Sequence, residues 1–307
     1  MRRPPARPRR RFRPLRTLGI LVGLLAVAYA VGAIVGPPRP ERPYYANFLA
    51  DRVHVHAHAG GDHLNPGNTM QAFAHAVELG VDVLELDTQI TADGVIVVIH
   101  DDTVDRTTDG TGLVVDFTYA ELLELDAAYD WRPPGGDPDV HPYRGQGLVV
   151  PTLQEVLEAF PAVGVNLDMK SADPRVPEAT CAVIRATGRE ATVMAASFLV
   201  DNLRRFRALC PDVATSAGPD EVRGFYVFNL LGLGRWTSPA ADAFQVPVRQ
   251  GSIEIVVPRM VRGLRERNVR LDVWTINEEA EMRRLLGLGV GGLITDRPDL
   301  ALALLGR

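Results

Sequence analysis

Five ionisable side chains stand where short apolar runs end, the place at which parallel strands present side chains to one edge of a sheet. They are His58, Glu85, Asp87, His100 and Asp168. Side chains alternate between the two faces of a strand, so Glu85 and Asp87 point the same way. Two neighbouring inward carboxylates are costly to bury unpaired. A divalent cation removes that cost, and Asp168 on the next strand would supply a third oxygen. Oxygen ligands are typical of Mg²⁺ or Ca²⁺.

The two histidines suit proton transfer beside such a cation. Cleavage of a phosphodiester needs a deprotonated nucleophile and a protonated leaving oxygen, and histidine titrates near neutral pH. The cation would polarise the phosphoryl oxygen. We therefore predict that His58 and His100 share the acid and base roles, with either histidine in either role.

Lys170 is the single lysine among the 33 Lys and Arg residues of the chain. A compact ammonium kept two residues after Asp168 suits a phosphate or a metal-bound carboxylate, and we predict a substrate-binding role. Trp274 ends a later apolar run. It is predicted either to stack on the glycerol or alcohol part of a substrate or to pack at the rim of the site.

Short apolar runs and amphipathic stretches alternate from residue 52 onward. This rhythm predicts a parallel sheet with helices outside, and about eight strands favour closure into an α/β fold of the (β/α)₈ TIM barrel type. Strands are predicted at 53–58, 81–88, 95–100, 164–169, 192–196, 213–216, 243–246, 253–257, 271–276 and 291–295, and helices at 68–79, 152–160, 178–187, 199–209, 258–267, 278–286 and 298–305, with Asn68 as an N-cap.

The rhythm breaks after the predicted strand that ends at His100. The segment from there to Pro151 is too long for an ordinary loop of a βα unit. Loops on this side of a barrel build the active site. We therefore predict an insertion over the barrel mouth, either a lid or a surface loop.

The net charge of −5 is unevenly distributed. Residues 1–16 contain eight arginines and no acid, so the remainder carries −5 − 8 = −13. Such an acidic domain lacks the basic surface that phosphate backbones require, and we predict no nucleic-acid partner.

The N-terminal region is predicted to attach the chain to a membrane. Residues 1–16 read as a basic cytoplasmic arm and 17–36 as a transmembrane anchor, with a cleaved signal peptide as the alternative. Residues 37–51 read as a linker. The domain at 52–307 is then extracytoplasmic, or secreted after cleavage.

Cys181 and Cys210 are the two cysteines of the chain. Their spacing fits no metal-binding or redox motif. They are either two small core residues or, outside the cytoplasm, a disulfide.

Taken together, the motifs resemble the glycerophosphodiester phosphodiesterase family of phospholipase C-like TIM barrels. The resemblance runs from about His58 to Leu305. The matching stretches are His58-Ala59-Gly60 with Pro66-Gly67-Asn68-Thr69, Glu85-Leu86-Asp87, Thr91-Ala92-Asp93-Gly94, His100-Asp101 with Arg106-Thr107-Thr108, Asp168-Met169-Lys170, Trp274-Thr275-Ile276-Asn277 and Thr295-Asp296-Arg297-Pro298.

The resemblance implies hydrolysis of a glycerophosphodiester to an alcohol and glycerol phosphate. His58 and His100 would be the catalytic pair, with Mg²⁺ or Ca²⁺ held by Glu85, Asp87 and Asp168. It also implies that the substrate's own glycerol hydroxyl attacks first and gives a cyclic phosphate.

Three positions depart from the family pattern. Ala59 replaces an arginine expected to grip phosphate, Gly67 replaces a glutamate, and Asp168 replaces a longer glutamate ligand. Losing the arginine removes a bidentate phosphate clamp, for which Lys170 or a residue of the insertion is expected to compensate. The alternatives are a lysophospholipase D or sphingomyelinase D-like lipid phosphodiesterase, and an inactive membrane-anchored binding module.

Overall fold

Short strands alternate with helices along the chain. The structure, a computed structural model, describes residues 14–35, 38–40, 42–46, 52–237 and 239–307. The strands are β1 His54–Ala57, β2 Val83–Ile90, β3 Ile96–Val98, β4 Gly164–Met169, β5 Val193–Ala196, β6 Ala214–Thr215, β7 Ala243–Pro247, β8 Arg249–Gln250, β9 Ile253–Glu254, β10 Arg270–Trp274 and β11 Gly292–Thr295.

Helices follow most of these strands. They are α1 Pro14–Val35, α2 Pro43–Ala46, α3 Met70–Leu79, α4 Tyr119–Leu122, α5 Leu153–Ala159, α6 Val176–Ala186, α7 Val200–Leu209, α8 Pro219–Leu230, α9 Pro258–Arg265, α10 Glu279–Leu288 and α11 Pro298–Leu304, with 3₁₀ turns at His58–Gly60, Val114–Asp116 and Gly234–Trp236.

Eight of the strands form a nearly closed parallel barrel. They lie side by side in the order β6-β5-β4-β2-β1-β11-β10-β7. A parallel bridge between Ser216 and Ala243 joins the two ends of that order. Buried aliphatic side chains from the strands and the surrounding helices make one core. The predicted (β/α)₈ architecture is confirmed.

The register between β2 and β4 brings polar residues to the same height in the barrel. Asp87 lies beside Asp168, and Glu85 lies beside Asn166 one layer deeper. Because side chains alternate faces along each strand, these four side chains share the interior face. The register therefore stacks two polar layers at the mouth of the barrel.

β1 lies between β2 and β11. Its last residue, Ala57, pairs with Leu84 on one side and Thr295 on the other. His58 is the next residue, so it leaves the strand between the carboxyl ends of β2 and β11. The 3₁₀ turn that begins there carries the chain across the mouth.

The predicted strand at 95–100 is not a barrel strand. β3 is shorter and pairs antiparallel with β2, with Val98 opposite Thr88. The reason is a tight turn at Gly94, whose φ of +87° suits glycine, and which folds the chain directly back on β2. His100 therefore follows a hairpin that lies beside the barrel.

The insertion after β3 is a small packed unit. Trp131 Nε1 donates to the carbonyl of Asp62 at 3.0 Å, and the Tyr143 hydroxyl donates to Asn65 Oδ1 at 2.8 Å. These bonds fasten the insertion to the loop that follows β1. Its own core consists of Val97, Ile99, Val104, Val114, Leu122, Ala127 and Val150.

The helix after β1 begins later than predicted. Thr69 is its N-cap and accepts a hydrogen bond from the Ala72 amide. Asn68, the predicted cap, has a φ of +59° and turns its side chain toward the barrel mouth instead. Threonine and asparagine side chains both cap helices, so the sequence alone does not decide between Asn68 and Thr69 as the N-cap.

α8 falls in a stretch to which the sequence assigned no element. Its interior contains Gly224 and several aromatic and β-branched residues, all poor helix formers. Pro219 at the first position and the Glu221 carboxylate, which accepts from the Gly218 amide at 2.9 Å, define its beginning. Tertiary packing outweighs propensity here.

The chain before β1 closes the end of the barrel opposite the mouth. Arg39 and Arg42 both bond the buried Asp242 carboxylate, at 2.7 and 3.3 Å. The predicted linker 37–51 is therefore folded against the barrel where it is described, at 38–40 and 42–46. Its other residues lie outside the described part of the chain.

Tyr44 is the centre of this closure. Its ring is buried to 1% exposure among Met194, Ala214 and Ala243, which come from three different barrel strands. The Arg270 guanidinium lies 5.1 Å from the ring of the neighbouring Tyr45. Tyr44 therefore fills the end of the barrel and completes its core, so the described part of this segment belongs to the barrel domain.

The structure covers the predicted N-terminal segments only in part. Residues 14–35 form α1, while most of the predicted arm 1–16 lies outside the described residues. Counting described residues alone, no helix is long and apolar enough to cross a membrane. The anchor stays a prediction.

Cys181 and Cys210 form a disulfide. Cys181 lies in α6 and Cys210 directly follows α7, and both are buried. Of the two readings of the cysteines, the disulfide is the one that the structure shows. It joins two neighbouring helices of the outer layer.

Replacing Tyr44 by alanine should lower the free energy of unfolding by about 3 kcal/mol, because the barrel end would lose a fully buried aromatic ring. Tyr44→Phe keeps the ring and should cost about 1 kcal/mol or less. Urea unfolding followed by circular dichroism measures both. A Tyr44→Ala chain as stable as the unaltered protein would mean that the segment before β1 is a loose linker.

Candidate active site

A cavity of about 720 Å³ opens at the carboxyl ends of the barrel strands. The side chains that line it include every residue predicted to act on substrate or metal. Those residues are His58, Glu85, Asp87, His100, Asp168, Lys170 and Trp274.

Lys170 lies between the two carboxylates of the upper layer. Its Nζ is 3.1 Å from Asp87 Oδ1 and 2.8 Å from Asp168 Oδ2. Burial lowers the pKa of Lys170, but Asp168 and Asp87 outweigh it and raise that pKa above its usual value. The compact ammonium of a lysine fits between two oxygens at this spacing, whereas the planar fork of an arginine does not.

Glu85 lies one layer deeper. Its Oε2 accepts a hydrogen bond from the Ala59 amide at 3.0 Å. Burial, followed by repulsion from Asp87, raises the pKa of Glu85 to about 7. Burial likewise raises the pKa of Asp168, although Lys170 opposes this effect. The carboxylates therefore lie close enough to oppose one another's ionisation.

The carboxylate of Asp296, which directly follows β11, holds His58. Its Nδ1 lies 2.6 Å from Asp296 Oδ1, and Asn277 Nδ2 donates to the other oxygen of Asp296 at 2.7 Å. Burial lowers the pKa of His58, but Glu85 and Asp296 outweigh it and raise that pKa to about 9. The bond at Nδ1 leaves Nε2 for a reactant.

The carboxylate of Asp101, at the start of the insertion, holds His100 in the same manner. Its Nδ1 lies 2.6 Å from Asp101 Oδ1, and Arg106 Nε donates to Asp101 Oδ2 at 2.5 Å. Gln89 Nε2 donates to the His100 carbonyl at 3.3 Å and fixes the backbone. Both histidines thus present the same ring nitrogen, each with a carboxylate behind it.

Asn68 orients the Asp87 carboxylate. Its Nδ2 donates to Asp87 Oδ2 at 3.0 Å, and its Oδ1 accepts from the Asp87 amide at 3.2 Å. The positive φ of Asn68 lets the side chain turn back to β2. Asn68 therefore connects the loop after β1 to the carboxylate layer through both of these hydrogen bonds.

Three side chains that position groups from other strands or loops received no role at the site from sequence reasoning, which had made Asn68 only a helix cap: Asn68, Asn277 and Asp296. Each lies inside a stretch that carried the family resemblance, so the motif matches were the signal that could have found them. Their partners come from strands distant in sequence, which is why spacing alone did not pair them.

Two of the departures from the family pattern are in contact. A Cβ added at Gly67 would lie 2.6 Å from Asp62 Oδ1 and 3.1 Å from the Ala59 Cβ. The Gly67 amide donates to Asp62 Oδ1 at 2.9 Å. The small residues at 59 and 67 therefore belong to one local packing arrangement, in which a Cβ at 67 would require Asp62 and Ala59 to shift.

The opposite wall of the cavity is apolar. α8 and the β8–β9 hairpin supply Val222, Tyr226 and Ile253, and none of residues 101–150 is among its lining residues. The predicted lid therefore supports the loop after β1 rather than covering the opening. The main apolar residues of this wall are Phe198, Val222, Tyr226, Pro247, Ile253 and Trp274.

The predicted metal ligands are close together but not arranged as a ligand set. Across the part of the chain that the structure describes, no group of three or more His, Cys, Asp or Glu side chains is placed to hold a metal ion. Lys170 takes the position between Asp87 and Asp168. The donor chemistry fits a hard cation nonetheless, because Asp168 Oδ1 is buried without a hydrogen-bond partner.

Two carboxylate-anchored histidines above a layer of acids, at the carboxyl end of a parallel barrel, define the class of phospholipase C-like barrel phosphodiesterases. The model of the glycerophosphoryl diester phosphodiesterase family matches residues 58–300. The chain belongs to that family.

Individual relatives agree with the family match. A glycerophosphodiester phosphodiesterase of Caldanaerobacter subterraneus subsp. tengcongensis is 32% identical, over 80% of this chain and 94% of the relative. A lysophospholipase D of Rattus norvegicus is 28% identical, over 79% of this chain and 82% of the relative. The crystal structure of glycerophosphodiester phosphodiesterase from Agrobacterium tumefaciens superposes with a TM-score of 0.66 at 27% identity, over 82% of this chain and 100% of that one.

Replacing Asp296 by asparagine should lower kcat/KM by about 100-fold, because His58 would lose the carboxylate that fixes its ring and stabilises its charged form. Asp299→Asn is the matched control, since Asp299 bonds Arg297 on the surface of α11. Steady-state hydrolysis of glycerophosphocholine measures both. Equal rates in the two variants would show that Asp296 has no role in catalysis.

Proposed function

We propose that the chain hydrolyses glycerophosphodiesters to an alcohol and glycerol phosphate. The observation that carries this proposal is the pair of histidines, His58 and His100, each fixed through Nδ1 at 2.6 Å to a carboxylate beside the same cavity. The family match and the names of the relatives support the substrate class. The intact pair argues against an inactive binding module.

A divalent cation, Mg²⁺ or Ca²⁺, would be held by Glu85, Asp87 and Asp168. Such a cation polarises a phosphoryl oxygen and neutralises charge that develops on it. Asn68 would keep Asp87 in place, and Lys170 would remain as a second positive charge beside the phosphate. This ligand set is supported by the buried, unpartnered oxygen of Asp168 and by the raised pKa of Glu85.

His58 and His100 hold and move protons at their Nε2 atoms. Asp296 and Asp101 keep the two rings in position, and Asp296 favours the charged imidazolium of His58. One histidine takes the proton of the attacking hydroxyl, and the other gives a proton to the leaving alkoxide. By family resemblance the attacking group is the substrate's own glycerol hydroxyl, with a cyclic phosphate as the first product.

Lys170 also accounts for the arginine that Ala59 replaces. Its side chain lines the cavity and is 22% exposed, so a phosphate can reach it. A point charge holds phosphate with less geometric selectivity than a bidentate guanidinium. Trp274 stands across the cavity, where its ring meets Phe198 edge to face at 6.0 Å and provides a surface for the glycerol or alcohol part.

A lysophospholipid is the second candidate substrate. The apolar wall formed by α8 and the β8–β9 hairpin is the observation that favours it, because a deacylated glycerophosphodiester has no chain to bury there. The similarity to a lysophospholipase D from Rattus norvegicus supports the same substrate. The phosphodiester chemistry is identical for both substrates.

The catalytic domain is proposed to lie outside the cytoplasm, anchored by the N-terminal region or released by cleavage. The disulfide between Cys181 and Cys210 supports this location, because disulfides persist in oxidising compartments. The eight arginines of residues 1–16 favour a cytoplasmic position for that arm. The mass of the mature chain distinguishes an anchor from a cleaved signal.

His58→Ala and His100→Ala should each lower kcat/KM on glycerophosphocholine by at least about 100-fold, because each variant loses one proton-transfer group. His141→Ala, in the insertion, is the matched control and should keep full activity. EDTA should abolish turnover, and Mg²⁺ or Ca²⁺ should restore it. Full activity in either site variant would refute that histidine's role, and EDTA-resistant activity would refute the metal.

Ile253→Asp should separate the two substrates. Ile253 is 51% exposed on the apolar wall, so the change should not disturb the core. We expect kcat/KM for lysophosphatidylcholine to fall about tenfold, as loss of roughly 1.4 kcal/mol of apolar contact predicts. Leu209→Asp, on the far side of the barrel, is the control.

The value for glycerophosphocholine should stay unchanged in the Ile253→Asp variant, because that substrate has no acyl chain to contact Ile253. An equal fall for both substrates would refute the acyl-chain role of the wall. Activity on neither substrate in the unaltered chain, with metal present, would favour the inactive binding module.

A further inference from the structure

The end of α8 and the segment that follows it expose large apolar side chains. Their exposed fractions run from 44% to 68%. Single exposed apolar residues are ordinary, but a contiguous group of this size marks a surface that meets an apolar partner. The group consists of Val227, Phe228, Leu230, Leu231 and Trp236.

Two arginines of α9 border this group. Arg259 and Arg262 are exposed and line a second cavity, of about 430 Å³, together with Tyr29, Gly232 and Glu266. Neither arginine pairs with a carboxylate among the described residues, whereas Arg283 and Arg284 of α10 both do.

The same surface is continuous with the apolar helix α1. The Tyr29 hydroxyl donates to the Gly232 carbonyl at 2.8 Å, and the rings of Tyr29 and Trp236 lie 6.0 Å apart. Leu18, Ile20 and other apolar side chains of α1 are more than half exposed. The apolar area therefore extends from the barrel onto this helix.

We propose that this area, the α8–α9 surface, rests on a membrane that contains anionic phospholipids. Val227, Phe228, Leu230, Leu231 and Trp236 would enter the interfacial region, and Arg259 and Arg262 would bind lipid phosphates from the cavity beside them. Apolar and aromatic side chains next to basic ones are the composition by which proteins bind such interfaces. The acidic remainder of the domain is repelled by anionic lipids, so these arginines fix which surface faces the membrane.

The position of the surface sets the orientation of the active site. The chain passes from the end of α8 to the amino-terminal end of β7, so the surface lies toward the barrel end opposite His58 and His100. A domain resting on the α8–α9 surface would therefore open its cavity toward the water. Its substrates would arrive from solution rather than laterally from the same membrane.

Tryptophan fluorescence tests the contact, since the chain has three tryptophans, at 131, 236 and 274. The full chain would be incorporated in vesicles of phosphatidylcholine with phosphatidylglycerol, with and without brominated lipid. The variant Trp131→Phe/Trp274→Phe reports from Trp236 alone. The matched control Trp236→Phe/Trp274→Phe reports from Trp131, in the insertion near the mouth. Bromine should quench Trp236 and leave Trp131 unquenched.

The arginine contribution is measured in the Trp236 reporter chain. Arg259→Gln/Arg262→Gln should lower the docking constant on anionic vesicles about 30-fold, since each arginine near such a surface contributes about 1 kcal/mol. Arg283→Gln/Arg284→Gln removes the same charge elsewhere and should change nothing. Leu231→Asp, at a side chain 68% exposed and thus harmless to the core, should also reduce Trp236 quenching.

Equal quenching of Trp131 and Trp236, or no quenching of Trp236, would overturn the proposal. So would quenching that is indifferent to phosphatidylglycerol and to the Arg259→Gln/Arg262→Gln change. A blue shift of Trp236 that grows with protein concentration in the absence of vesicles would instead assign the surface to a second copy of the chain. These outcomes are independent of whether the enzyme turns over its substrate.

Discussion

Two buried carboxylates at the same height on neighbouring strands repel each other unless a cation lies between them. Asp87 and Asp168 are such a pair, and Lys170 Nζ lies within 3.1 Å of both. The register of β2 against β4 fixes this arrangement, with Glu85 one layer below. The chemistry that we propose follows from the same constraint, because a place that requires positive charge suits both a divalent cation and a phosphate held beside it.

The histidines reach this layer by different routes. His58 continues a barrel strand, and its carboxylate, Asp296, is 238 residues away in sequence. His100 arrives on a hairpin beside the barrel, and its carboxylate is the adjacent Asp101. Barrel closure brings His58 and Asp296 together, because the first strand, β1, and the last strand, β11, become neighbours only in the closed barrel. The second pair needs only a local turn and the packed insertion.

Sequence reasoning predicted the barrel because the βα rhythm is strong and depends on local patterning. It also predicted which side chains line the cavity, because functional residues of a barrel stand at strand ends. It misjudged β3, since an apolar run does not say whether a strand pairs parallel or antiparallel. It missed Asp296 as the partner of His58 and Tyr44 as the closure of the barrel, because both depend on contacts between distant parts of the chain.

The departures at Ala59 and Gly67 change the surroundings of the site more than its reactive groups. They contact each other in the loop after β1, while both histidine–carboxylate pairs and the three acids are retained. We propose that the difference lies in the way phosphate is held, by the ammonium of Lys170 rather than by a guanidinium fork. The apolar wall then becomes a larger part of what distinguishes one substrate from another.

Calorimetric titration of Mg²⁺ and of Ca²⁺ into the metal-stripped full chain tests the central claim most directly, because it measures the ligand set without relying on turnover. The account predicts saturable binding of at least one of these cations, lost in Asp87→Asn and in Asp168→Asn and kept in Asp299→Asn. Absence of saturable binding by the unaltered chain, or equal affinity in all three variants, would contradict it.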